Sequence, residues 1–494
     1  MENRHETVCC RYWNRTILGW SCIFLMVAVV AAVFFLRCSP NPKRHDGILI
    51  DAVHANEYSD KGLQIGNYSY HEINGYRFGF DYLRDQGVRC DYFREGRLDD
   101  KSLAGYRLLF INLVSAERPP FLVSEIQAIV KFVKTGGTLF VITDHSNCYF
   151  HAFRLEPLFT EFGIESPTDM ICEYPPKTLA SGNGWFYVDV FSEHPVTEGL
   201  RRIAVQTGGR VDSRYAVAWT SEDSWADAWE NPLYGEGKSV GFYGNYEQDP
   251  DEPSGPFGVV LAKEFGRGRI IVVADQNMLS DTFINYADNY RLWLNGMSWG
   301  LHDKRLRDPV KYGQWKLPSI LLVEPFDRPV FGSGDVHGMY NFWTLVSRYF
   351  WTFANDRLTF PVDLVVLSAG LYPLDAETVR GIADHLESGK RVVVLQTDAK
   401  ILEFPGNAIS QILHELKIDT PMVEKSEKNE RRDVINLPGG GAISFFGAEN
   451  VYNNSVLPEP TVAPSVLQES LADEVLEMLH EEIQLGMEAG NATE

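Results

Sequence analysis

Asp51, His54, Asn112, Asp144, His145, Asn147, Asp275 and Asn277 share one setting. Each ends or follows a short apolar run of the kind that makes a buried strand: GILID, YRLLFIN, TLFVIT and IIVVA. In an open α/β sheet, ligands sit beyond the carboxyl ends of the strands, so neighbouring strands would bring these groups to one rim. Asp51, His54, Asp144, His145 and Asp275 are a ligand set suited to a divalent metal, which would activate water. Asp144 or His145 could instead act as a general base. Asn112, Asn147, Asp275 and Asn277 then hold a polar ligand, with His194 of SEHPVTEGL as a further contact. The plainer alternative is that the acids cap the helices that follow and the histidines satisfy buried backbone groups. Nucleophilic catalysis is disfavoured. The turn where G-x-S-x-G would stand reads Thr143-Asp144-His145-Ser146-Asn147-Cys148, with Cys148 about one turn too late.

The elements that must position these groups alternate between strand and helix. After the four runs come helical spacings at Tyr76–Gln86, Leu122–Lys134 and about Asn289–Trp299. Gly136 and Gly137 close the second helix. This alternation predicts βαβ units and a mainly parallel, doubly wound sheet. The scheme returns as SILLVE (Ser319–Glu324), VDLVVLS (Val362–Ser368), a helix over Val379–Leu386 and RVVVLQTD (Arg391–Asp398), which reads as a tandem duplication. In the second copy TDHSN becomes Thr397-Asp398-Ala399-Lys400. Glu324, Asp327, Asp335 and His337 read as solvated loop residues, so the second copy is taken as structural or as a partner platform. Residues 173–258 form an insertion rich in Trp, Tyr and acids (Trp185, Trp219, Trp225, Tyr243 among them), able to stack on sugar rings or to pack a small core of its own. Three prolines mark 457–464 as a linker. Leu467, Leu471, Val475, Leu479 and Ile483 form one stripe of a closing acidic helix, with Glu482 on the solvated face, docked on its own domain or on a partner.

Composition bounds the partners. Lys+Arg number 45 against 67 Asp+Glu, a net charge of −22, which excludes a nucleic-acid binder. Seven cysteines make no disulfide scaffold. Ile17–Leu36 is an uncharged apolar run that as a helix spans about 30 Å, a bilayer core. It exceeds a signal-peptide core and no A-x-A site follows it. We expect residues 1–16 in the cytoplasm, a transmembrane helix at 17–36 and the bulk of the chain extracytoplasmic. The implied partners are the membrane and proteins of a membrane complex.

The runs GGTLFVITDHSN, SEHPVTEGL and GRGRIIVVADQNMLSD resemble class I glutamine amidotransferase-like domains. The branch is that of gliding-motility ABC-transporter auxiliary proteins and trehalose-utilisation-type proteins. The resemblance implies flavodoxin-like sheets: one domain at 46–301 carrying the insertion, and a degenerate second at 317–456, before the linker and helix of 457–494. Members that hydrolyse glutamine carry a nucleophilic Cys in the elbow and a later His-x-Glu. Here Asp144-His145 fills the elbow and Asp275-Gln276-Asn277 follows the last strand, so that activity is not expected. What the resemblance implies instead is a non-catalytic binding or assembly subunit of an envelope or transport complex, with carbohydrate as a ligand. The alternative is a metal-dependent hydrolase acting on a glycan or other polar substrate.

Overall fold

The computed structural model describes residues 47–493 apart from 57–59, 180–181, 230–242, 303–305, 307–316, 369–371, 426–431 and 448–451. The expected membrane helix at 17–36 lies outside the described residues. Among those described, no helix is long and apolar enough to cross a membrane.

Two large mixed sheets carry the fold. The strands of the first are β1 (Gly47–Asp51), β2 (Arg89–Phe93), β3 (Leu108–Asn112), β4 (Thr138–Ile142), β5 (Val190–Phe191), β6 (Ala216–Trp219), β7 (Gly258–Phe265) and β8 (Gly268–Val273). Their order is β2-β1-β3-β4-β8-β7-β6-β5. The five strands from β2 to β8 pair in parallel, and the β8-β7-β6-β5 edge is antiparallel. The second sheet is built from β9 (Ser319–Val323), β10 (Trp351–Asn355), β11 (Leu364–Ser368), β12 (Arg391–Leu395), β13 (Val423–Lys425), β14 (Arg432–Asn436) and β15 (Ala442–Phe446). It repeats the pattern as β10-β9-β11-β12-β15-β14-β13, parallel to β15 and antiparallel beyond. This is a mixed α/β architecture with parallel-strand sheets, consistent with flavodoxin-like folds.

The central strands are buried on both faces, which is why they read as unbroken Val/Ile/Leu/Phe runs. One face of the first sheet packs on α1 (Arg77–Asp85) and α4 (Asn289–Leu301). The other packs on α2 (Val123–Lys134) and α3 (His151–Phe162). The second sheet is covered by α5 (Tyr340–Val346), α6 (Ala376–Glu387) and α7 (Val466–Thr493). Residues 46–494 form one unit, and the two sheets interlock within it. The outer edge of β10 is covered by segment 285–287: Ala287 N donates to Ala354 O, and Ala354 N to Asn285 O.

Two expectations change here. Glu482 does not face solvent. It is fully buried, ion-paired with Arg391 and Arg432 and bonded by Ser444 Oγ at 2.9 Å. The helix registers Val475, Leu479 and Ile483 inward, and Glu482 beside them meets two arginines of the sheet. Glu324 is not a solvated loop residue either. Its carboxylate accepts from the N–H groups of Val330, Phe331 and Gly332 and from Tyr286 Oη at 2.6 Å. Tyr286 in turn meets Tyr187 Oη at 2.8 Å, so this chain of hydroxyls stitches the halves together. Gly332 is required there, because a Cβ would stand 2.3 Å from Tyr286 Oη.

Burial pushes the Glu324 carboxyl up to about 7, against those four donors. An acid whose folded pKa is raised binds its proton more tightly in the native state, so its contribution to stability falls as pH rises from about 4.5 to about 7 and is level above. Glu324→Gln is therefore expected to remove about 2 kcal/mol of the stability difference between pH 5 and pH 8, whatever constant loss the amide's own donors add. Urea midpoints of both proteins at the two pH values measure this. Equal pH slopes would refute it.

Candidate active site

The strand-end residues do not all meet, and residue parity explains why. Successive strand residues face opposite sides, and both sides here are buried. Ile48, Ile50, Phe110, Phe140, Ile142, Ile271 and Val273 face α1 and α4, while Leu49, Ile111, Val141 and Val272 face α2 and α3. Asn112, Asp144 and Asp275 continue the first parity. Asp51 continues the second.

Asp51 and His54 are accordingly a separate buried pair. Asp51 accepts from the N–H of Val53 and His54, and its Oδ2 lies 2.8 Å from His54 Nδ1. His54 Nε2 lies 3.5 Å from Glu125 Oε2, and the ring stacks on Phe121. Burial alone would lower the His54 imidazole, but Asp51 and Glu125 outweigh it and raise it. Glu125 also accepts from the N–H of Leu98 and Leu122, so the cluster ties β1 to the start of α2. His194 sits elsewhere too. It accepts from Val196 N and packs edge-on against Trp299 at the end of α4, near the amino ends of the strands.

What the rim does collect is Asp144, His145 and Cys148, each of which offers one ligand atom within 4.8 Å of the others. Cys148 is a residue the sequence reading set aside as one turn too late. The chain after β4 turns back at Ser146, left-handed at φ 50°, which returns Cys148 to Asp144; Tyr149 at 53° and Phe150 at 60° then lead into α3. Such strain in non-glycine residues is retained where the surroundings enforce it, often at functional sites. His151 fixes the loop: its Nδ1 donates to Cys148 O at 2.9 Å and its Nε2 accepts from Asp144 N at 3.3 Å. Asn147 accepts from Ala152 N.

Tyrosines stand around the cluster. Tyr243 stacks on His145 with ring centroids 4.9 Å apart. Tyr70 donates to Asn277 Oδ1 at 3.1 Å, and Tyr76 to Gln276 O at 2.6 Å. The phenols of Tyr70, Tyr76 and Tyr243 all feel the charge of Asp144. Below them, Asn112 is wholly buried with neither side-chain Nδ2 nor Oδ1 hydrogen-bonded, and Asn147 Nδ2 is also unpartnered.

Burial pushes the Asp144 carboxyl up to about 7, against the His145 N–H and the Cys148 thiol. Asp275 is pushed well up, first by burial and then by the charge of Asp144, although Gln206 N and Asn277 N donate to it. Burial likewise drives the Cys148 thiol well up and the His151 imidazole down to about 4. The loop therefore holds a protonated Cys148 thiol, a neutral His151 imidazole and an Asp144 carboxyl that exchanges its proton near neutrality. Ser146 Oγ is 3.4 Å from His145 Nδ1, a long contact for an activated hydroxyl.

No family model and no curated protein matches this chain. Among solved structures, the mmIFT52 N-terminal domain is similar over 51% of this chain and 97% of its own, at 15% identity and a TM-score of 0.36. A ThuA-like protein from Bacteroides uniformis is similar over 54% of this chain and 96% of its own, at 16% identity and a TM-score of 0.31. The exo-beta-1,4-mannosidase Op5Man5 from Opitutaceae bacterium strain TAV5 is similar over 51% of this chain and 35% of its own, at 10% identity and a TM-score of 0.26. These are distant likenesses, which include ThuA-like proteins and assign this chain no activity.

Proposed function

We propose that this chain is a binding or assembly subunit that takes a polar, hydroxyl-bearing ligand of the glycan class on the Asp144 rim, without turnover. The observation that carries the reading is a carboxyl, an imidazole and a thiol grouped within 4.8 Å and walled by tyrosines at the carboxyl end of a doubly wound sheet. A carboxyl near its midpoint both donates to and accepts from hydroxyls, and tyrosine faces stack on sugar rings. The lack of turnover is supported by the thiol, which stays protonated, and by the His151 imidazole, which is held by two backbone groups. The apolar run at 17–36 supports a membrane anchor with the body outside, beside partners of an envelope or transport complex.

Calorimetric titration with a panel of neutral disaccharides tests the ligand class. Asp144→Asn and Tyr243→Ala are each expected to weaken binding, by about tenfold and about fivefold. Affinity unchanged by both variants would overturn the reading.

One observation favours a second reading. Asp144, His145 and Cys148 supply O, N and S donors, a set that fits zinc and leaves a position for water, in a metal-dependent hydrolase. Stoichiometric zinc in the purified chain, lost in His145→Ala, would replace the first reading with this one.

A further inference from the structure

The carboxyl end of the second sheet holds a cavity of about 330 Å3. It opens where β9 stands between β10 and β11. The chain leaves β9 to one side and then crosses to the other, which is the switch position at which doubly wound sheets take ligands. Glu324, Phe326 and Tyr372 line it from the second half, and Lys177, Tyr187 and Arg202 from the first.

Arg202 lies over two rings, 4.5 Å from the Phe326 centroid and 5.5 Å from that of Tyr187, which fixes the plane of its guanidinium. Its Nη1 stands 3.6 Å from Asp356 Oδ2, beyond hydrogen-bond reach. Neither the guanidinium nor the Asp356 carboxylate makes a side-chain hydrogen bond among the described residues. Lys177 is ion-paired with Asp189 close by. The cavity thus presents a guanidinium and a carboxylate that are ion-paired, Asp356 also with Arg201 at 3.8 Å, yet whose hydrogen-bonding positions toward the cavity are not used by each other.

The charges decide what fits. An anion on Arg202 would also meet Asp356, Asp189, Asp327 and Asp375, with Glu324 in the same wall. A cation on those acids would meet Arg202 and Lys177. A hydroxyl accepts from one and donates to the other, and adjacent hydroxyls on a ring do this in pairs. Tyr372 supplies a face for such a ring.

We propose that this crevice is a second binding site, for a neutral ring polyol of mono- or disaccharide size. The site stands on the other half of the chain and needs nothing from Asp144. Calorimetry on the full chain with cellobiose and maltose tests it, with inorganic phosphate and spermidine as charged probes. A disaccharide is expected to bind, and Asp356→Asn and Lys177→Gln are each expected to weaken it about tenfold. Arg202→Lys, which keeps the charge and loses the fork, is expected to do the same, and unchanged circular dichroism excludes misfolding. No heat with either disaccharide, affinity untouched by all three variants, or tighter binding of phosphate or spermidine would overturn the proposal. Loss in Asp144→Asn alone would support the rim reading and overturn this one. Loss in the crevice variants alone would do the reverse.

Discussion

Trp293→Ala is expected to destabilise the chain by about 3–5 kcal/mol. The indole is fully buried and sits against four rings, those of Tyr76, Phe80, Phe110 and Phe140, at centroid distances of 6.1, 5.4, 5.7 and 5.8 Å. Its Nε1 donates to Gly79 O at 2.8 Å, so truncation opens a cavity and also removes a buried hydrogen bond. The same change removes a wall from Tyr76, whose hydroxyl holds Gln276 O at the rim, so ligand affinity should fall along with stability. Denaturant midpoints and a disaccharide titration measure the two effects. A loss below about 1 kcal/mol would show that the ring cluster collapses around the gap.

Glu482→Ala is expected to cost a similar 3–5 kcal/mol by a different route. Arg391 and Arg432 are 7% and 8% exposed; without Glu482 the Arg391 guanidinium is buried with no carboxylate, and Arg432 keeps only the half-exposed Glu481 at 3.3 Å. Glu482→Gln keeps the shape and a hydrogen bond and should lose less. Because α7 packs on β11 and β12 of the second sheet and the Asp144 rim is built on the first, this variant should leave rim binding intact where folded. Parallel denaturation curves of the two variants check it, and equal stabilities would refute the charge argument.

The sequence revealed a good deal of this architecture, and its silences have physical reasons. The central strands were legible because burial on both faces makes them continuous apolar runs. β2 (RCDYF) and β10 (WTFAN) were not, since each is one short mixed segment at a sheet flank. That same two-sided burial hid the parity of the strand ends. Nothing in GILID shows that Asp51 turns to α2 while Asp144 turns to α4, so one expected cluster became two. Cys148 was missed because its place depends on a left-handed turn at Ser146, a residue type that does not signal that conformation. Glu482 and Glu324 looked like ordinary surface acids. The arginines and tyrosine that bury them lie 91, 50 and 38 residues away in sequence, distances at which spacing carries no signal.

The segment that shields β10 also carries a lesson about assembly. Residues 285–287 leave the ribosome before β10 does, so the strand's outer edge finds a partner for both backbone groups of Ala354 as soon as it is made. A gene split between the two halves would undo that ordering, which gives a reason for both to remain on one polypeptide.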